Sequence, residues 1–245
     1  MSDKEKKIFY GKGLPYVDTS DITGKLIVIE GTDGVGRSTQ MEMLKQWLEV
    51  KGYGVVTTGW TRSPLMGSSI DEAKEGHSLG MLTFSLLYAA DFADRLEHEV
   101  IPALKAGFIV LADRYIYTAF ARSVVRGADR EWIRQLFGFA LEPDAVFYLN
   151  IDIENLIPRV INTDTLMERY WEDGSVAGLD YWESGMDMNL GDDFYDSFVE
   201  YQKKILEEFD IMSKEYNFKV LDASKNFEET NRKLKEGILQ VLKDV

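Results

Sequence analysis

Eight consecutive residues carry the strongest chemical signal in the chain: Gly31, Thr32, Asp33, Gly34, Val35, Gly36, Arg37 and Ser38. Glycines at 31 and 36, then a basic residue and a hydroxyl, have the spacing of a phosphate-cradling loop, with arginine where lysine is usual. Glycine lets the backbone close around phosphate oxygens, successive amides point inward, and a following helix offers its positive N-terminal end. Gly31 to Ser38, with Thr39 behind them, are therefore expected to hold the phosphates of a nucleotide. Ser38 would place its hydroxyl on Mg²⁺. Arg37 stands in the lysine's position with a different geometry, since a guanidinium is planar and bidentate where an ammonium is a compact point charge. A second pair, Asp113 and Arg114, follows an apolar run. Charged residues at the carboxyl end of a buried strand usually face a ligand crevice; the alternative is an ion pair that caps the strand.

The elements that must position these groups are legible in outline. Lys25 to Glu30 (KLIVIE) is a short β-branched apolar run, the pattern of a strand buried on both faces. From Ser38 to Val50, Met41, Met43, Leu44, Trp47 and Leu48 recur at helical spacing, and Gly52 supplies the stop. Further strands are expected at Tyr53 to Thr58, Phe108 to Ala112, Ala145 to Leu149 and Phe218 to Leu221. A long helix is expected from Met81 to Lys105, with Leu82, Leu86, Ala89 and Ala90 on one side. Strands alternating with helices imply right-handed crossovers: an α/β, three-layer fold, with a five-stranded parallel sheet and helices on both faces. Residues 1–24 read as an extension that packs on the surface or stays mobile, and 25–245 as one domain. The polar, aromatic stretch at about 162–193 is too long for an ordinary connection and is expected to be a lid or insertion.

Composition narrows the partners. With 28 basic against 42 acidic residues the net charge is -14, which repels nucleic acid and anionic membrane while leaving room for a local anion pocket. The absence of cysteine excludes disulfides and thiolate chemistry and fits a reducing compartment, so the expected location is cytoplasmic. No apolar stretch approaches a spanning helix. His77 and His98 have no partner at metal spacing.

The stretch IVIEGTDGVGRSTQ resembles the opening of the thymidylate kinases, a family of P-loop nucleoside monophosphate kinases. Thr61-Arg62-Ser63-Pro64, the helix segment LLYAADFADRLEHEVIPAL, Asp113-Arg114-Tyr115 and Leu221-Asp222-Ala223-Ser224 are similar to later family segments in the same order. The resemblance implies ATP-dependent phosphoryl transfer to a nucleoside monophosphate, dTMP to dTDP, with Mg²⁺, small-molecule nucleotide substrates and a homodimer. Positioning and charge neutralisation then carry the catalysis. Asp33 would position the acceptor, Arg114 grip its phosphate, Asp113 lie near the metal and Tyr88 stack on the base. Arg62 would contact the acceptor or remain a surface charge. Arg159 and Arg169 represent the family's arginine-rich lid segment, Arg169 as a transition-state arginine.

Four positions depart from the family pattern. Arg37 replaces the loop lysine, and Phe92 stands where the family has an arginine that reads the base edge. Ala119 and Arg122 stand where a polar and an aromatic residue are usual near the sugar and base. Arg95, one helical turn beyond Phe92, either takes over the contact or is a solvated helix charge. These changes leave open a different acceptor on the same fold, or a nucleotide-binding homologue without turnover.

Overall fold

Alternation within Lys25–Glu30, the first strand β1, determines how the sheet is covered: Leu26 and Val28 join one buried cluster, Ile27 and Ile29 the other. Successive side chains of a strand point to opposite faces, so an unbroken apolar run needs packing partners on both. The computed structural model describes residues 7–60, 63–76, 80–160, 185–192, 194–224 and 226–243. After β1 come α1 (Arg37–Val50), β2 (Val55–Gly59), α2 (Gly67–Gly76), α3 (Met81–Arg95) and a π-helical turn (Leu96–Val100). Next are α4 (Ile101–Lys105), β3 (Ile109–Asp113), α5 (Ile116–Val125), α6 (Arg130–Leu136), β4 (Ala145–Asn150) and α7 (Ile153–Val160). A short 3₁₀ turn (Met186–Met188), α8 (Phe194–Glu215), β5 (Lys219–Asp222) and α9 (Phe227–Lys243) complete the order.

The five strands pair in parallel in the order β2-β3-β1-β4-β5. Neither neighbour of β1 follows it in sequence, so the chain reverses direction across the sheet beside β1, the place where such sheets bind ligands. Register puts Ile29 opposite Asp113, so the loop after β1 and the charged end of β3 emerge side by side. Helices α1 and α9 cover one face through Leu44, Leu48, Leu234 and Ile238; α3, α5 and α8 cover the other.

The expected strands are present, three of them shifted by one or two residues. The expected helix from 81 to 105 is continuous but widens into the π turn just before Pro102. Proline has no N–H for the carbonyl four residues back and crowds it, and the wider turn relieves both. Its apolar face is only partly the expected one: Ala89 is buried, together with Ser85, Tyr88 and Phe92, but Leu82 is 57% and Leu86 47% exposed. Packing of Tyr88 and Phe92 against Trp60, Tyr115, Phe137 and Phe139 sets the helix rotation. The described part of the N-terminal extension is a packed strap. Phe9 bridges Leu141 in antiparallel fashion, the Tyr10 and Gly11 amides donate to Ala140 O and Gly138 O, and the Tyr10 and Tyr117 hydroxyls bond to each other.

Candidate active site

Immediately after Glu30 the chain turns through Gly34 (φ 77°) and Gly36 (φ 90°), left-handed conformations that side chains strain to adopt. A Cβ on Gly34 would also lie 2.3 Å from Val160 Cγ2. Gly36 caps α1 without a side chain, so the first amides of that helix are left facing the loop, where an anion would satisfy them. Thr32 Oγ1 is buried in the same turn with no hydrogen-bond partner among the described residues.

Arg37 begins α1 and is buried beneath this loop. Its Nη1 donates to Gly31 O and, at 2.5 Å, to Thr32 O; its Nε donates to Asp113 Oδ1 at 2.7 Å. Burial opposes its charge, but the carboxylates of Asp113 and Asp33 outweigh that effect and keep the guanidinium charged. The arginine thus reaches the end of β3 and braces the loop from within. Asp113 Oδ2 lies 3.4 Å from Ser38 Oγ. Hydroxyl and carboxylate oxygens together are a donor set that suits Mg²⁺.

Arg114 follows at φ 69°, a conformation costing about 1 kcal/mol or more for a non-glycine residue and typical of functional turns. Its amide donates to Ile29 O at 3.0 Å, which fixes the turn, and its Nη2 donates to Asp33 Oδ1. Arg122, from α5, reaches Asp33 Oδ2 at 3.3 Å, and Arg37 Nη2 lies 3.6 Å from Asp33 Oδ1. Three guanidiniums therefore converge on one carboxylate. Burial works against the Asp33 charge, yet Arg114, Arg122 and Arg37 overcome it and hold this carboxyl well below the usual carboxylate range. Beneath the cluster, Glu30 is fully buried; burial pushes its carboxyl up to about 7, partly offset by bonds from Tyr115 N–H and Thr118 Oγ1 at 2.8 Å each.

Two clefts adjoin here. One is lined by Thr32, Asp33, Arg114, Tyr201 and Gln202; the other by Trp60, Phe84, Tyr88 and Phe137. Arg122 lines both and joins them.

Among the residues expected to contact an acceptor, Asp33, Arg114, Arg122 and Tyr88 are brought to these clefts. Phe92 is not: it is 1% exposed and packs edge-on against Trp60, Tyr115 and Phe137 in the core. Arg95 is neither a solvated charge nor a cleft residue. It is 4% exposed, pairs with Asp91 at 3.0 Å and donates to Thr58 Oγ1 at 3.2 Å. Asp91 and Asp94 in turn hold Ser63 through its amide and hydroxyl. Ala119 lines the aromatic cleft. Arg159 donates to Ser224 O at 2.9 Å, beside the Leu221-Asp222-Ala223-Ser224 segment. Arg62, His77, Arg169 and most of the expected lid lie outside the described residues.

Glu30, Trp60 and Gln202 escaped the sequence reading. Glu30 ends a strand and Trp60 directly precedes Thr61-Arg62, both at carboxyl ends where ligands gather; Gln202 offered no local signal. No helix among the described residues is long and apolar enough to cross a membrane.

A parallel α/β sheet with a glycine loop after β1 and arginines around it defines a P-loop phosphotransferase. A thymidylate kinase family model matches residues 29–174. The chain is 36% identical over 222 residues to the probable thymidylate kinase 2 of Saccharolobus solfataricus, covering 90% of this chain and 94% of that one. It is 37% identical over 147 residues to the probable thymidylate kinase of Thermococcus kodakarensis, across 55% of this chain and 70% of the relative. The thymidylate kinase of Brachyspira hyodysenteriae is 32% identical over 148 residues, or 60% and 73% of the two chains. This chain belongs to the thymidylate kinase family.

Proposed function

We propose that the chain transfers the γ-phosphoryl group of ATP to dTMP, giving dTDP and ADP. The observation that carries this reading is the convergence of Arg37, Arg114 and Arg122 on Asp33, at the mouth of the loop and beside an aromatic cleft. An acceptor phosphate entering between Arg114 and Arg122 meets two guanidiniums already desolvated and fixed. The loop amides and the start of α1 hold the donor phosphates. An acceptor phosphate oxygen then attacks the γ-phosphorus as the bond to the β–γ bridging oxygen breaks, and ADP leaves with that electron pair. Prepositioned positive charge is the main contribution, since it requires no reorganisation as the transferred group develops charge. Arg37 supplies charge from beneath the loop and braces its curvature through the Gly31 and Thr32 carbonyls. Ser38 and Asp113 would hold Mg²⁺, which when bound neutralises charge on the β- and γ-phosphates. Asp33 positions the acceptor and, in its absence, neutralises the arginines.

Two features extend the reading. Arg62 and Arg169 complete the grip on acceptor and transferred group, with the lid of about 162–193 closing over the phosphates. Leu82 and Leu86, exposed on α3, support a homodimer that covers this face. The decisive experiment is steady-state ADP formation with Mg-ATP and a panel of nucleoside monophosphates. Preferential stimulation by dTMP is expected. Tight ATP binding without ADP release stimulated by any acceptor would overturn the reading and leave a nucleotide-binding homologue.

A further inference from the structure

Helix α5 ends at Val125, and the residue that caps it, Arg126, is a buried cation that the phosphoryl transfer described above does not use. All three of its guanidinium nitrogens are engaged. Nε and Nη2 donate to Asp187 Oδ2 and Oδ1 at 2.8 and 3.1 Å, and Nη1 donates to the Tyr201 hydroxyl at 2.7 Å and to Arg122 O at 3.3 Å. The guanidinium carbon also stands 4.9 Å from the Tyr201 ring centroid. A bidentate carboxylate pair, a bond to a phenol and a ring contact from one planar group fix an orientation more narrowly than a point charge could.

The partners of Arg126 lead to the site. Tyr201, from α8, lines the charged cleft with Thr32, Asp33 and Arg114. Arg122, whose carbonyl Arg126 holds, is the residue that joins the two clefts. Asp187 lies in the 3₁₀ turn that follows Gly185, and this turn is fitted closely onto α8. Ser197 Oγ donates to Gly185 O at 3.2 Å, and a Cβ on Gly185, at φ 68°, would lie 2.6 Å from Tyr201 Cβ and Cγ. Tyr201 is thus caught between the Gly185 backbone and the Arg126 guanidinium.

We infer that Arg126 is a positioning residue for the acceptor: by holding Tyr201 it fixes one wall of the charged cleft, and so governs how tightly the acceptor binds without touching it. Displacements of about 1 Å in a prearranged site can cost about a hundredfold, so an indirect support of this kind is measurable. The donor-phosphate loop is braced separately, by Arg37 through Gly31 O, Thr32 O and Asp113. The effect should therefore fall on one substrate and spare the other. The inference rests on the dTMP kinase reading and adds to it a residue outside the Asp33 cluster.

Steady-state kinetics with ATP and dTMP varied in turn test this. In folded Arg126→Ala, KM for dTMP should rise about tenfold while KM for ATP stays within about twofold. Arg126→Lys keeps the charge but loses the planar fork, and should recover little of that rise. Tyr201→Phe keeps the ring and deletes the hydroxyl that Arg126 holds. It should raise KM for dTMP about threefold, and Arg126→Ala should add less in that background than in the native chain, because the bond between them is already gone. A clasp that served stability alone would lower the melting temperature and leave KM unchanged in folded protein. Where Arg126→Ala fails to fold, Arg126→Lys takes its place in each comparison. A native KM for dTMP in the folded variants, a parallel rise for both substrates, or effects at 126 and 201 that simply multiply would overturn the inference while native turnover still supports the kinase reading. Absence of dTMP-stimulated ADP release from the native protein would overturn both, so the two failures are separable.

Discussion

At one end of the cleft Arg37, Arg114 and Arg122 crowd around Asp33, while Trp60, Tyr88 and Phe137 line the other end, backed from the core by Phe92, with few polar groups among them. The charged end is assembled from short segments next to strand ends: residues 31–38 after β1 and residues 113–114 closing β3 and following it. Each cation there faces a carboxylate or a carbonyl, so the energy lies in paired charges whose value changes when a phosphate arrives. The aromatic end is assembled from β2, α3, α5 and the segment after α6, elements distant in sequence. Its energy lies in buried area and ring packing, which a ligand barely alters. Mutations at the first end should therefore appear in turnover, and those of the rings packed into the core behind the second, such as Phe92, in stability.

The largest effect is expected from Arg114→Ala, which removes an acceptor-phosphate contact: kcat/KM for dTMP should fall by about 10²–10³-fold in steady-state assays. A loss of only a fewfold would erase the distinction between the two ends. Phe92→Ala opens a cavity among rings and should lower unfolding stability by about 3–5 kcal/mol in a denaturant titration. KM for dTMP should change little where the variant remains folded; a large rise in KM without destabilisation would place Phe92 with the ligand-facing residues instead.

Glu30 links the two ends, because it sits under the charges yet is bonded by Tyr115 and Thr118 of the α3-facing core. Its carboxyl is raised from 4.5 to about 7 in the folded chain. Its contribution to stability is thus fully present below about pH 4.5 and is lost as pH rises through about 7, at up to about 1.4 kcal/mol per pH unit. Glu30→Gln should flatten that part of the stability profile, measured by unfolding at stepped pH, and an unchanged slope would remove Glu30 from this role. The smallest effect is expected for Tyr10→Phe, which deletes the hydroxyl bond to Tyr117: about 1 kcal/mol in a thermal or denaturant melt, with turnover unaffected.

The same division governs what could be read from sequence. The loop at 31–38 and the Asp113-Arg114 pair are local patterns, and register between β1 and β3 needed only the alternation of apolar strands to bring them together. Arg95 shows the limit. Asp91 lies four residues before it, a spacing that places both on one helix face. Burial of the pair depends on β2 and the Ser63 turn, which arrive from elsewhere in the chain. The rotation of α3, which exposes Leu82 and buries Phe92, was likewise set by partners more than ten residues away, so helical spacing alone placed Ala89 on the buried face but Leu82 and Leu86 with it in error.

The strap at Phe9 to Gly11 also bears on how the molecule assembles. It joins the start of the chain to residues 138–141, and Lys7 to Asp144 across 137 positions, after β4's surroundings have formed a surface to receive it. Contacts of such separation require closure of a loop of more than half the chain, and they gain nothing until the intervening sheet exists. The strap is then among the last parts to dock and the first to release. Changes along it should alter the rate at which the native state opens more than the rate at which it is reached.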